Sequence, residues 1–473
     1  MGSGKGKRMS ILADRYASRA MIDIWSAESK IRAERKLWIS VMKTQAQLGF
    51  EIPASAIADY EKVQDKIDLD SIDKREKDLR HDVKARIEEF NSLAGHQYIH
   101  IGMTSRDVTE NIEAAQIKSA LKLVQKKTIA LLARLGEKTS EYMAQPIVGR
   151  SHNVPAQITT LGKRFANVAE ELLYAYQRLE NLIDNFPIRG LKGPVGTAQD
   201  SHDILGANYD MLEDSIIESL GFDTKLDSTG QIYPRSFDYD VITSLVLLSA
   251  APSNLATSIR LMAGHDLVSE GFKVGQVGSS AMPHKMNTRS CERINGIASI
   301  LKGHSVMVGE ISGNQWNEGD VSDSVVRRVA IPEVFYSIDG LLETILTVLN
   351  EFRIFPAKIN KEIEENLPFL ATTKFLLAAV QAGMGREDAH NVIKELSIKA
   401  AKDIREGKPN SLIIELAGDS RIPLDYEALE KLLASPLEFS GLAQEQCDAV
   451  IAKIHAVTKS HPDAATYQPL PIR

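Results

Sequence analysis

A regular apolar repeat between residues 161 and 186 constrains the fold more than any other feature of the sequence. Apolar side chains recur there at alternating steps of four and three residues, at Leu161, Phe165, Val168, Leu172, Ala175, Leu179, Leu182 and Phe186. This spacing is a heptad seam, and no proline interrupts its 26 residues, so it predicts one long helix. A seam of this length needs apolar partners, which can come from the same chain or from a second copy of it.

Four other segments have the apolar spacing of long helices, and together with the first they predict a helix bundle. These segments cover residues 111–143, 238–264, 291–308 and 332–355. Pro252 lies inside the second of them and should kink or interrupt that helix. Alternation typical of strands is hard to find, so we predict an all-α fold with a central bundle of five long helices.

The regions on either side of the bundle contain shorter apolar segments and predict two further domains. Charged or proline-containing turns separate these segments. We therefore predict an N-terminal helical domain at residues 1–103, the long-helix bundle at residues 104–366 and a C-terminal helical domain at residues 367–473. Residues 1–9 are basic and lack an apolar run, and we interpret them as a disordered tail.

Composition narrows the class of protein before any motif is considered. The net charge of -7 argues against nucleic acid as the main partner, although a local basic pocket can still bind an anionic substrate. The two cysteines, Cys291 and Cys447, fit a reducing compartment and exclude a disulfide scaffold. No apolar run in the sequence reaches the roughly 18 residues that span a bilayer. We therefore expect a cytoplasmic protein that does not enter a membrane.

Three polar stretches interrupt the helical pattern, and each has a structural as well as a functional interpretation. The first, "LRHDVKA", places Arg80, His81 and Asp82 in a row, where the histidine could be an ordinary surface residue. The second, "HIGMTSRDVTEN", looks like a helix start with Thr104 or Ser105 as the N-cap, and a helix N-terminus also binds anions. The third, "GRSHNVPAQITTLGKR", contains one histidine and could be a plain loop before the next helix.

A fourth polar stretch, "VGSSAMPHKMN" at residues 277–287, has the composition of an anion-binding loop. Gly275, Gly278 and the paired serines can turn backbone N–H groups inward as a nest for an anion. Lys285 adds a positive charge, and Asn287 adds directional hydrogen-bond donors. From these residues alone, a solvated linker between two helices is an equal alternative.

Taken together, the four stretches resemble the fumarase/aspartase superfamily of lyases. The superfamily signature is similar to G-S-S-x-M-P-x-K-x-N, and residues 278–287 read "GSSAMPHKMN". The histidine at position 284 resembles the branch that acts on succinyl-substituted purine nucleotides, whereas fumarase tends to have Gly there and argininosuccinate lyase Gln. Further segments match in family order: "RYAS" at 15–18, "RHDV" at 80–83, "TSRDV" at 104–108, "SHNVPAQITTLGKR" at 151–164, then "GQIYPR" and "DSVVRR".

The resemblance implies a fold and a reaction. The implied subunit is helical and has three domains, and five long helices from each of four copies build a twenty-helix core of a homotetramer. Each active site of the superfamily draws residues from three copies, and the signature segment is a loop that closes over substrate. The implied reaction is β-elimination of fumarate from a small-molecule nucleotide substrate, which needs a base, an acid and stabilisation of a doubly charged carbanion. No metal or organic cofactor is implied.

The resemblance also assigns the elimination machinery to particular residues. Ser279 matches the base and His152 the general acid. Glu292 matches the carboxylate that holds the ring of His152 in the useful tautomer. Lys285 and Asn287 match the residues that bind the succinyl carboxylate, where the new negative charge grows.

Other matched residues would bind and position the nucleotide. His81 matches a second catalytic-site histidine, which we assign to binding and positioning the substrate phosphate. Phosphate ligands implied by the resemblance are Arg15, Tyr16, Arg80, Ser324 and Arg328. Further implied substrate ligands are Asp82, Thr104, Ser105, Gln231 and, on the ribose side, Arg293.

Three positions depart from the family pattern. Met286 and Thr288 stand where Arg and Pro are frequent, and Gly319 stands where many members carry an Arg that binds substrate. The last departure affects the expected ribose-phosphate contacts but not the elimination machinery. Two other functions stay open at this point. One is another lyase of the superfamily, such as argininosuccinate lyase or a carboxymuconate cycloisomerase, and the other is a catalytically silent helical assembly with a structural role.

Overall fold

The structure of the protein, a computed structural model, describes residues 10–271, 282 and 284–471. Within these ranges the regular structure is mainly helical, with two short antiparallel sheets of two strands each. The all-α fold class that the apolar spacing predicts is therefore confirmed.

The N-terminal part of the chain forms six helices, most of which begin at a side chain that caps the first turn. Ser10, Ser18, Ser26 and Asp68 each accept a backbone N–H of the following helix through a side-chain oxygen. His81 does the same through its ring nitrogen. The six helices are α1 (Ile11–Arg15), α2 (Arg19–Ile24), α3 (Ala27–Gln47), α4 (Ala54–Val63), α5 (Leu69–Leu79) and α6 (Asp82–Ala94).

The middle of the chain contains five long helices and two short ones. They are α7 (Ser105–Glu141), α8 (Leu161–Asn185), α9 (Gln199–Leu205), α10 (Tyr209–Ser219), α11 (Ser236–Gly264), α12 (Arg289–Ile311) and α13 (Ser322–Glu351). The predicted seam lies on α8 and at its C-terminal end, and all its side chains except Leu182 are buried. Each long helix contacts the next in the order α7, α8, α11, α12, α13, and α13 contacts α7 again, which closes the bundle.

Two of the long helices contain a proline and are not interrupted by it. Helix α11 continues through Pro252, so the predicted interruption at this residue is wrong. Helix α13 continues through Pro332 and begins at Ser322, earlier than the segment predicted from the sequence. A proline removes one main-chain hydrogen bond, but buried side chains before and after it, such as Leu248 and Leu255, keep both halves of α11 packed in the bundle.

The sheets are small, and one of them stands directly before α8. Strands β1 (Pro146–Ser151) and β2 (Val154–Thr160) form an antiparallel hairpin. The stretch that could have been a plain loop therefore forms most of this hairpin and the start of α8. Strands β3 (Val268–Ser269) and β4 (Arg353–Ile354) form the second pair, which joins the chain after α11 to the end of α13.

The C-terminal part of the chain returns to shorter helices. They are α14 (Pro356–Leu370), α15 (Thr372–Gln381), α16 (Arg386–Arg405), α17 (Leu412–Gly418), α18 (Tyr426–Leu433), α19 (Ala443–Ser460) and α20 (Pro462–Ala465). Helix α19 packs on α7 and α8, and thus connects this part to the bundle.

In the described part of the chain, apolar side chains gather in one large core and three smaller ones. The large core fills the bundle, and α13 contributes to it the fully buried Ile338, Leu341, Leu342, Ile345, Leu346 and Leu349. A second core, with Trp38, Tyr60 and Phe90, lies between the N-terminal helices and the start of α7, α9 and α10. A third, with Phe375 and Leu412, lies among the C-terminal helices, and a small fourth group consists of Ile31, Ile72 and Ala85. Full burial of one large apolar side chain stabilises a fold by roughly 1.5–3 kcal/mol, so the bundle is the rigid frame of the molecule.

Helix α11 is the most apolar of the long helices in the described part of the chain. By length and composition alone it could cross a membrane, with a mean hydropathy of 1.3 over its most apolar window. In the structure, 56% of that window is buried inside the protein. This is the environment of a core helix of a bundle.

Candidate active site

A cleft of about 780 Å³ opens where the N-terminal helices meet the first turns of α7 and α13. Eight of the residues singled out from the sequence line it: Arg80, His81, Asp82, Thr104, Ser105, Gln231, Ser324 and Arg328. Among the described lining residues, five side chains are cationic and three are acidic. The cleft therefore favours an anionic ligand.

The row Arg80, His81 and Asp82 forms the tight junction between α5 and α6. Arg80 ends α5 with a left-handed backbone (φ 54°). His81 begins α6, and its Nδ1 accepts a hydrogen bond from the backbone N–H of Lys84 at 3.2 Å. Because Nδ1 is an acceptor, the neutral ring carries its proton on Nε2, which is left to donate to a ligand. The capping role and a role in binding substrate are thus compatible.

Asp82 faces two guanidinium groups at the cleft. Its Oδ2 lies 3.5 Å from Nη2 of Arg86 and 3.4 Å from Nη2 of Arg328. Burial raises the pKa of Asp82, but the positive charge of Arg86, the hydrogen bond from the backbone N–H of Val83 and the charges of Arg328 and Lys30 together outweigh burial, so the pKa is lowered. An ionised Asp82 restrains the side chain of Arg328, which is otherwise exposed.

Thr104 and Ser105 stand at the N-terminus of α7. Thr104 is the N-cap residue, and its backbone N–H donates to Oδ2 of Asp107 at 2.8 Å. Oδ1 of the same carboxylate accepts hydrogen bonds from Nη1 of Arg189 at 2.6 Å and from the backbone N–H of Lys192 at 2.8 Å. The buried Asp107 therefore fixes the start of α7 against the loop that follows α8.

The start of α13 forms the opposite wall of the cleft. Ser324 lies in its first turn, and its Oγ accepts a hydrogen bond from Nη2 of Arg106 at 2.9 Å. Gln231 lies beside this wall, and its backbone N–H donates to the carbonyl oxygen of Glu318 at 2.7 Å. Two helices, of 37 and 30 residues, thus begin at the same cleft, and helix N-termini attract anions.

A buried network of charged groups supports the cleft. Glu110 on α7 accepts two hydrogen bonds from Arg235, at 2.8 and 2.9 Å, and Arg235 also donates to Asp323 at 2.6 Å. Arg327 on α13 donates to Asp238 on α11 at 2.8 Å. Burial raises the pKa of Glu110, but Arg235 and Arg327 outweigh burial, so the pKa is lowered and the carboxyl is ionised. The network ties α7, α11 and α13 together beneath the cleft.

Arg15, Tyr16 and Arg293 lie together but apart from the cleft. The guanidinium carbons of Arg15 and Arg293 are 5.9 and 5.3 Å from the centroid of the Tyr16 ring. Gly340 of α13 packs against Tyr16, and a Cβ at position 340 would lie 2.6 Å from Cβ of Tyr16. None of these described residues lines the cleft. The structure thus places the predicted phosphate ligands in two groups within one chain.

His152 is exposed at the tip of the hairpin β1–β2. With Asn153 it forms the turn between the paired residues Ser151 and Val154, and the two turn residues have φ values of 53° and 63°. Two consecutive positive φ values are the pattern of a type I′ turn, and His and Asn enter the left-handed region more readily than most residues. Nη1 of Arg150 donates to the carbonyl oxygen of Asn153 at 3.3 Å and braces the turn.

The signature stretch is described only in part. Ser279, the predicted base, lies outside the described residues. Lys285 is exposed, Asn287 precedes α12, and Glu292 lies in the first turn of that helix. Both His152 and Glu292 are described, and within one chain no hydrogen bond or ion pair joins them. Their pairing therefore stays a prediction.

The structure also reveals residues that the sequence analysis did not single out. Lys30, Arg106 and Thr109 line the cleft. His100 precedes α7, and its Nδ1 accepts a hydrogen bond from Nε1 of Trp38 at 3.1 Å. Burial lowers the pKa of His100 to about 4, and nearby positive charge adds to this effect. Arg106 and Thr109 follow the predicted start of α7, so helical spacing could have pointed to them, whereas no local signal marks Lys30.

The cleft has the groups to bind an organic anion directly. Guanidinium, hydroxyl and imidazole groups can hold phosphate and carboxylate oxygens. Among the described residues, no group of three or more His, Cys, Asp or Glu side chains is arranged to hold a metal ion.

The sequence matches two known protein families. Residues 6–303 match the family described as "Lyase", and residues 368–450 match the family described as "Adenylosuccinate lyase C-terminus". The first match covers more than half of the chain, which places the protein among these lyases.

Curated relatives show to which family within these lyases the chain belongs. The adenylosuccinate lyases of Saccharomyces cerevisiae and Schizosaccharomyces pombe are each 33% identical to the chain, over 451 and 457 residues. The first alignment covers 93% of both chains, and the second covers 95% of both. The chain belongs to the adenylosuccinate lyase family.

Solved structures share the fold. The 3-carboxy-cis,cis-muconate lactonizing enzyme from Pseudomonas putida superimposes with a TM-score of 0.83 over 95% of this chain and 99% of that chain, at 19% identity. The fumarate lyase from Mesorhizobium sp. BNC1 superimposes with a TM-score of 0.78 over 93% and 98%, at 20% identity. At these identities the likeness concerns the fold alone.

Proposed function

We propose that this protein catalyses the β-elimination of fumarate from adenylosuccinate, which yields AMP, and from SAICAR, which yields AICAR, in purine nucleotide biosynthesis. The observation that carries the proposal is the 33% identity with the adenylosuccinate lyase of S. cerevisiae over 93% of both chains. The cationic cleft supports it, because both substrates carry a phosphate and two carboxylates.

In the proposed reaction, the residues of the signature stretch and the hairpin perform the elimination. Ser279 removes a proton from the carbon next to the carboxylate, and the electron pair moves into that carboxylate. Lys285 and Asn287 bind this carboxylate where the charge grows. The carbon–nitrogen bond then breaks, and His152 protonates the departing nitrogen while Glu292 orients its ring. A serine hydroxyl is a weak acid, so Lys285 and nearby N–H donors must also stabilise its alkoxide.

The cleft residues hold the nucleotide in this proposal. His81 has Nε2–H available to donate to an anion, because Lys84 occupies Nδ1. Asp82 restrains Arg328 at 3.4 Å, which keeps that guanidinium near the phosphate. The other proposed ligands in the cleft are Arg80 and Ser324 for the phosphate, and Thr104, Ser105 and Gln231 for the rest of the substrate.

We also propose a cytoplasmic homotetramer whose active sites combine residues of different copies. The separation of the cleft, of the group around Tyr16 and of His152 within one chain supports shared sites. Exposed apolar side chains on the bundle helices support association: Leu247, Leu261, Ile300, Val306, Val325 and Val329. The free thiols of Cys291 and Cys447 fit a reducing compartment. Equilibrium sedimentation should give the mass of four chains, and a monomer at working concentration would contradict this assembly.

The division into three domains at residues 1–103, 104–366 and 367–473 stays a proposal. The separate apolar core around Phe375, whose residues all follow position 367, supports the second boundary. Limited proteolysis should cut first near the two boundaries if the division is right, and first cuts inside the long helices would contradict it.

Release of fumarate, followed by ultraviolet absorbance, tests the proposed activity. The purified protein should convert adenylosuccinate and SAICAR, and should leave argininosuccinate and 3-carboxy-cis,cis-muconate unchanged. A folded protein that releases no fumarate from adenylosuccinate would rule out the proposal. Turnover of argininosuccinate or of the muconate instead would assign the chain to a different activity of the superfamily.

Replacement of the proposed base tests the mechanism. Ser279→Ala should abolish fumarate release and leave the assembly unchanged, because only the hydroxyl that takes the proton is lost. Ser280→Ala, at the adjacent serine, is the matched control and should retain more activity. Full activity of Ser279→Ala would show that the base is another group.

A further inference from the structure

The end of the cleft between α7 and α13 has a backbone that excludes a side chain at position 319. Gly319 has a φ of +144°, which L-amino acids with a side chain rarely adopt. A Cβ built there would lie 3.1 Å from Cγ1 of Ile232 and 3.5 Å from Cβ of Gln231. Any cation at this end of the cleft must therefore come from another position.

Arg106 reaches this end of the cleft from the first turn of α7. Its Nη2 donates to Oγ of Ser324 at 2.9 Å and lies 3.4 Å from the carbonyl oxygen of Asp320. The side chain lines the cleft and is 12% exposed. The guanidinium thus bridges the starts of α7 and α13, and it contacts Asp320, the residue that follows Gly319.

Arg106 has ion pairs with Glu110 and, at 4.0 Å from Nη2, with Asp323, but these do not neutralise its charge, because Arg235 also binds both carboxylates. Nη1 of Arg106 lies 3.0 Å from Oε1 of Glu110. However, Glu110 already accepts two hydrogen bonds from Arg235, and Nη1 of Arg327 lies 3.6 Å from it. Within the described part of the chain, Nε–H and the second Nη1–H of Arg106 donate to no protein group. Arg106 therefore keeps positive charge and donors for a ligand.

Two hydroxyl groups beside Arg106 also have hydrogen-bonding capacity that the described residues do not use. Oγ of Ser324 accepts from Arg106, so its own hydrogen is left to donate. Thr109, one turn along α7 from Ser105, lines the same cleft and is 8% exposed. Among the described residues its Oγ1 has no hydrogen-bond partner. A buried hydroxyl without a hydrogen-bond partner destabilises the fold unless a ligand or a water molecule forms a hydrogen bond with it.

We propose that Arg106 binds the phosphate of the nucleotide substrate, together with Ser324, and supplies the cation that the backbone at Gly319 excludes. This inference rests on the proposed function for the identity of the ligand. A phosphomonoester suits the site because its oxygens match the planar fork of a guanidinium, and because two helix N-termini meet there. The alternative is that Arg106 only joins α7 to α13.

Binding of AMP and of adenosine, measured by calorimetry, separates these two roles. In Arg106→Gln, affinity for AMP should fall by about 10- to 100-fold, because a hydrogen-bonded charge pair is lost. Affinity for adenosine, which lacks the phosphate, should change by less than about 3-fold. The KM for adenylosuccinate should rise in parallel with the loss of AMP affinity. Arg106→Lys keeps the positive charge but not the planar guanidinium, so its loss of AMP affinity should be intermediate. This variant replaces Arg106→Gln in the experiment if the Gln variant does not fold.

Arg134 offers a matched control on the same helix. It is also 12% exposed and joins α7 to α13, through Nε to Asn350 at 3.0 Å, but it does not line the cleft. Arg134→Gln should leave the ratio of AMP to adenosine affinity unchanged. Equal losses for AMP and adenosine in Arg106→Gln, or no loss for either, would overturn the inference. Calorimetry needs no turnover, so a protein that binds AMP through Arg106 but releases no fumarate would refute the proposed function alone.

Discussion

The side chains of the cleft stand at the ends of long packed helices, whereas His152 stands at the tip of an exposed two-stranded hairpin. Beneath the cleft, Glu110 and Arg235 are buried and bonded to each other twice. At the hairpin tip, Val154 is 61% exposed and the turn has two positive φ values. Of the two regions that the proposed reaction needs, the cleft is thus supported by buried hydrogen-bonded charges, whereas the hairpin tip is exposed to solvent.

This difference indicates where each region finds its partners. The cleft is already supported by its own chain, because the buried network fixes the positions of α7, α11 and α13. The hairpin presents the proposed general acid, His152, as an exposed side chain with little protein around it in one chain. We infer that the surroundings that complete the hairpin site come from another copy, and the variants below test each side of the comparison.

Removal of one cation from the network should have the largest effect. Arg235→Met leaves Glu110 and Asp323 without their main hydrogen-bond donor in a buried site. Loss of one partner of a buried pair costs about 3–5 kcal/mol, and two carboxylates are affected here. We expect the free energy of unfolding to fall by about 5 kcal/mol, measured by urea denaturation at a fixed protein concentration.

Arg178 provides the surface control for this experiment. Its Nη2 lies 3.1 Å from Oδ1 of Asp240, and both side chains are about half exposed, at 46% and 49%. Arg178→Met should lower the free energy of unfolding by less than about 1 kcal/mol, because water screens the pair. Equal losses in Arg235→Met and Arg178→Met would show that the network does not support the cleft.

On the hairpin side, His152→Gln should affect turnover and not stability. Loss of the proposed general acid should lower kcat by about 100- to 1000-fold. The free energy of unfolding should change by less than about 0.5 kcal/mol, because the side chain is exposed. Steady-state kinetics with adenylosuccinate and urea denaturation measure the two quantities. A large loss of stability with normal kcat would give His152 a structural role.

A mixing experiment sharpens the comparison between cleft and hairpin. His81→Gln alters the cleft and His152→Gln alters the hairpin, so each variant alone should be nearly inactive. If one site uses the cleft of one copy and the hairpin of another, refolding the two variants together should restore part of the activity. No recovery in mixed assemblies would place both histidines of a site in the same chain.

The long helices could be predicted from the sequence, because their apolar spacing repeats over many turns. The seam at residues 161–186 corresponds to α8 and the residue after it. Two features were not predicted correctly. Helix α11 passes through Pro252 because packing on both sides outweighs the lost hydrogen bond. The hairpin was missed because only Ile158 and Thr160 of β2 are buried, so its sequence shows no apolar alternation.

The site was predictable only where residues form a recognisable stretch. Arg80, His81 and Asp82 are adjacent in sequence and line the cleft together. The contact between Arg106 and Ser324 joins residues 218 positions apart, and no local pattern reports such a distance. The proposed pairing of His152 with Glu292 is not formed within one chain, and in the proposed homotetramer it would join different copies.

The pH dependence of stability offers a further test, because His100, beside the cleft region, is a buried histidine with a lowered pKa. His100 is largely buried and its pKa is lowered to about 4, mainly by burial, with positive charge at Lys84 as the next cause. In the unfolded chain its pKa is about 6.5, so between these values the unfolded state binds the proton and the native state does not. The native state therefore loses stability as pH falls from about 6.5 to 4, by up to about 3 kcal/mol.

His100→Gln should remove this part of the acid destabilisation, because the amide does not titrate and can still accept from Nε1 of Trp38. Urea denaturation between pH 7 and pH 4 should give a shallower decline for His100→Gln than for the wild type. His390→Gln, at an exposed position on α16, is the control and should follow the wild type. Parallel declines in all three proteins would show that His100 is not responsible.

The smallest expected effect is at the turn that presents His152. Asn153 has a φ of 63°, where a residue with Cβ is strained by roughly 1–2 kcal/mol and Asn somewhat less. Asn153→Ala should therefore lower the free energy of unfolding by about 1 kcal/mol and reduce kcat several-fold, because relief of the strain moves the neighbouring histidine. Asn153→Gly accepts the same φ without strain and should keep kcat close to the wild type. If Ala and Gly behave alike, the turn conformation does not control the position of His152, and its orientation must be set by groups outside the turn.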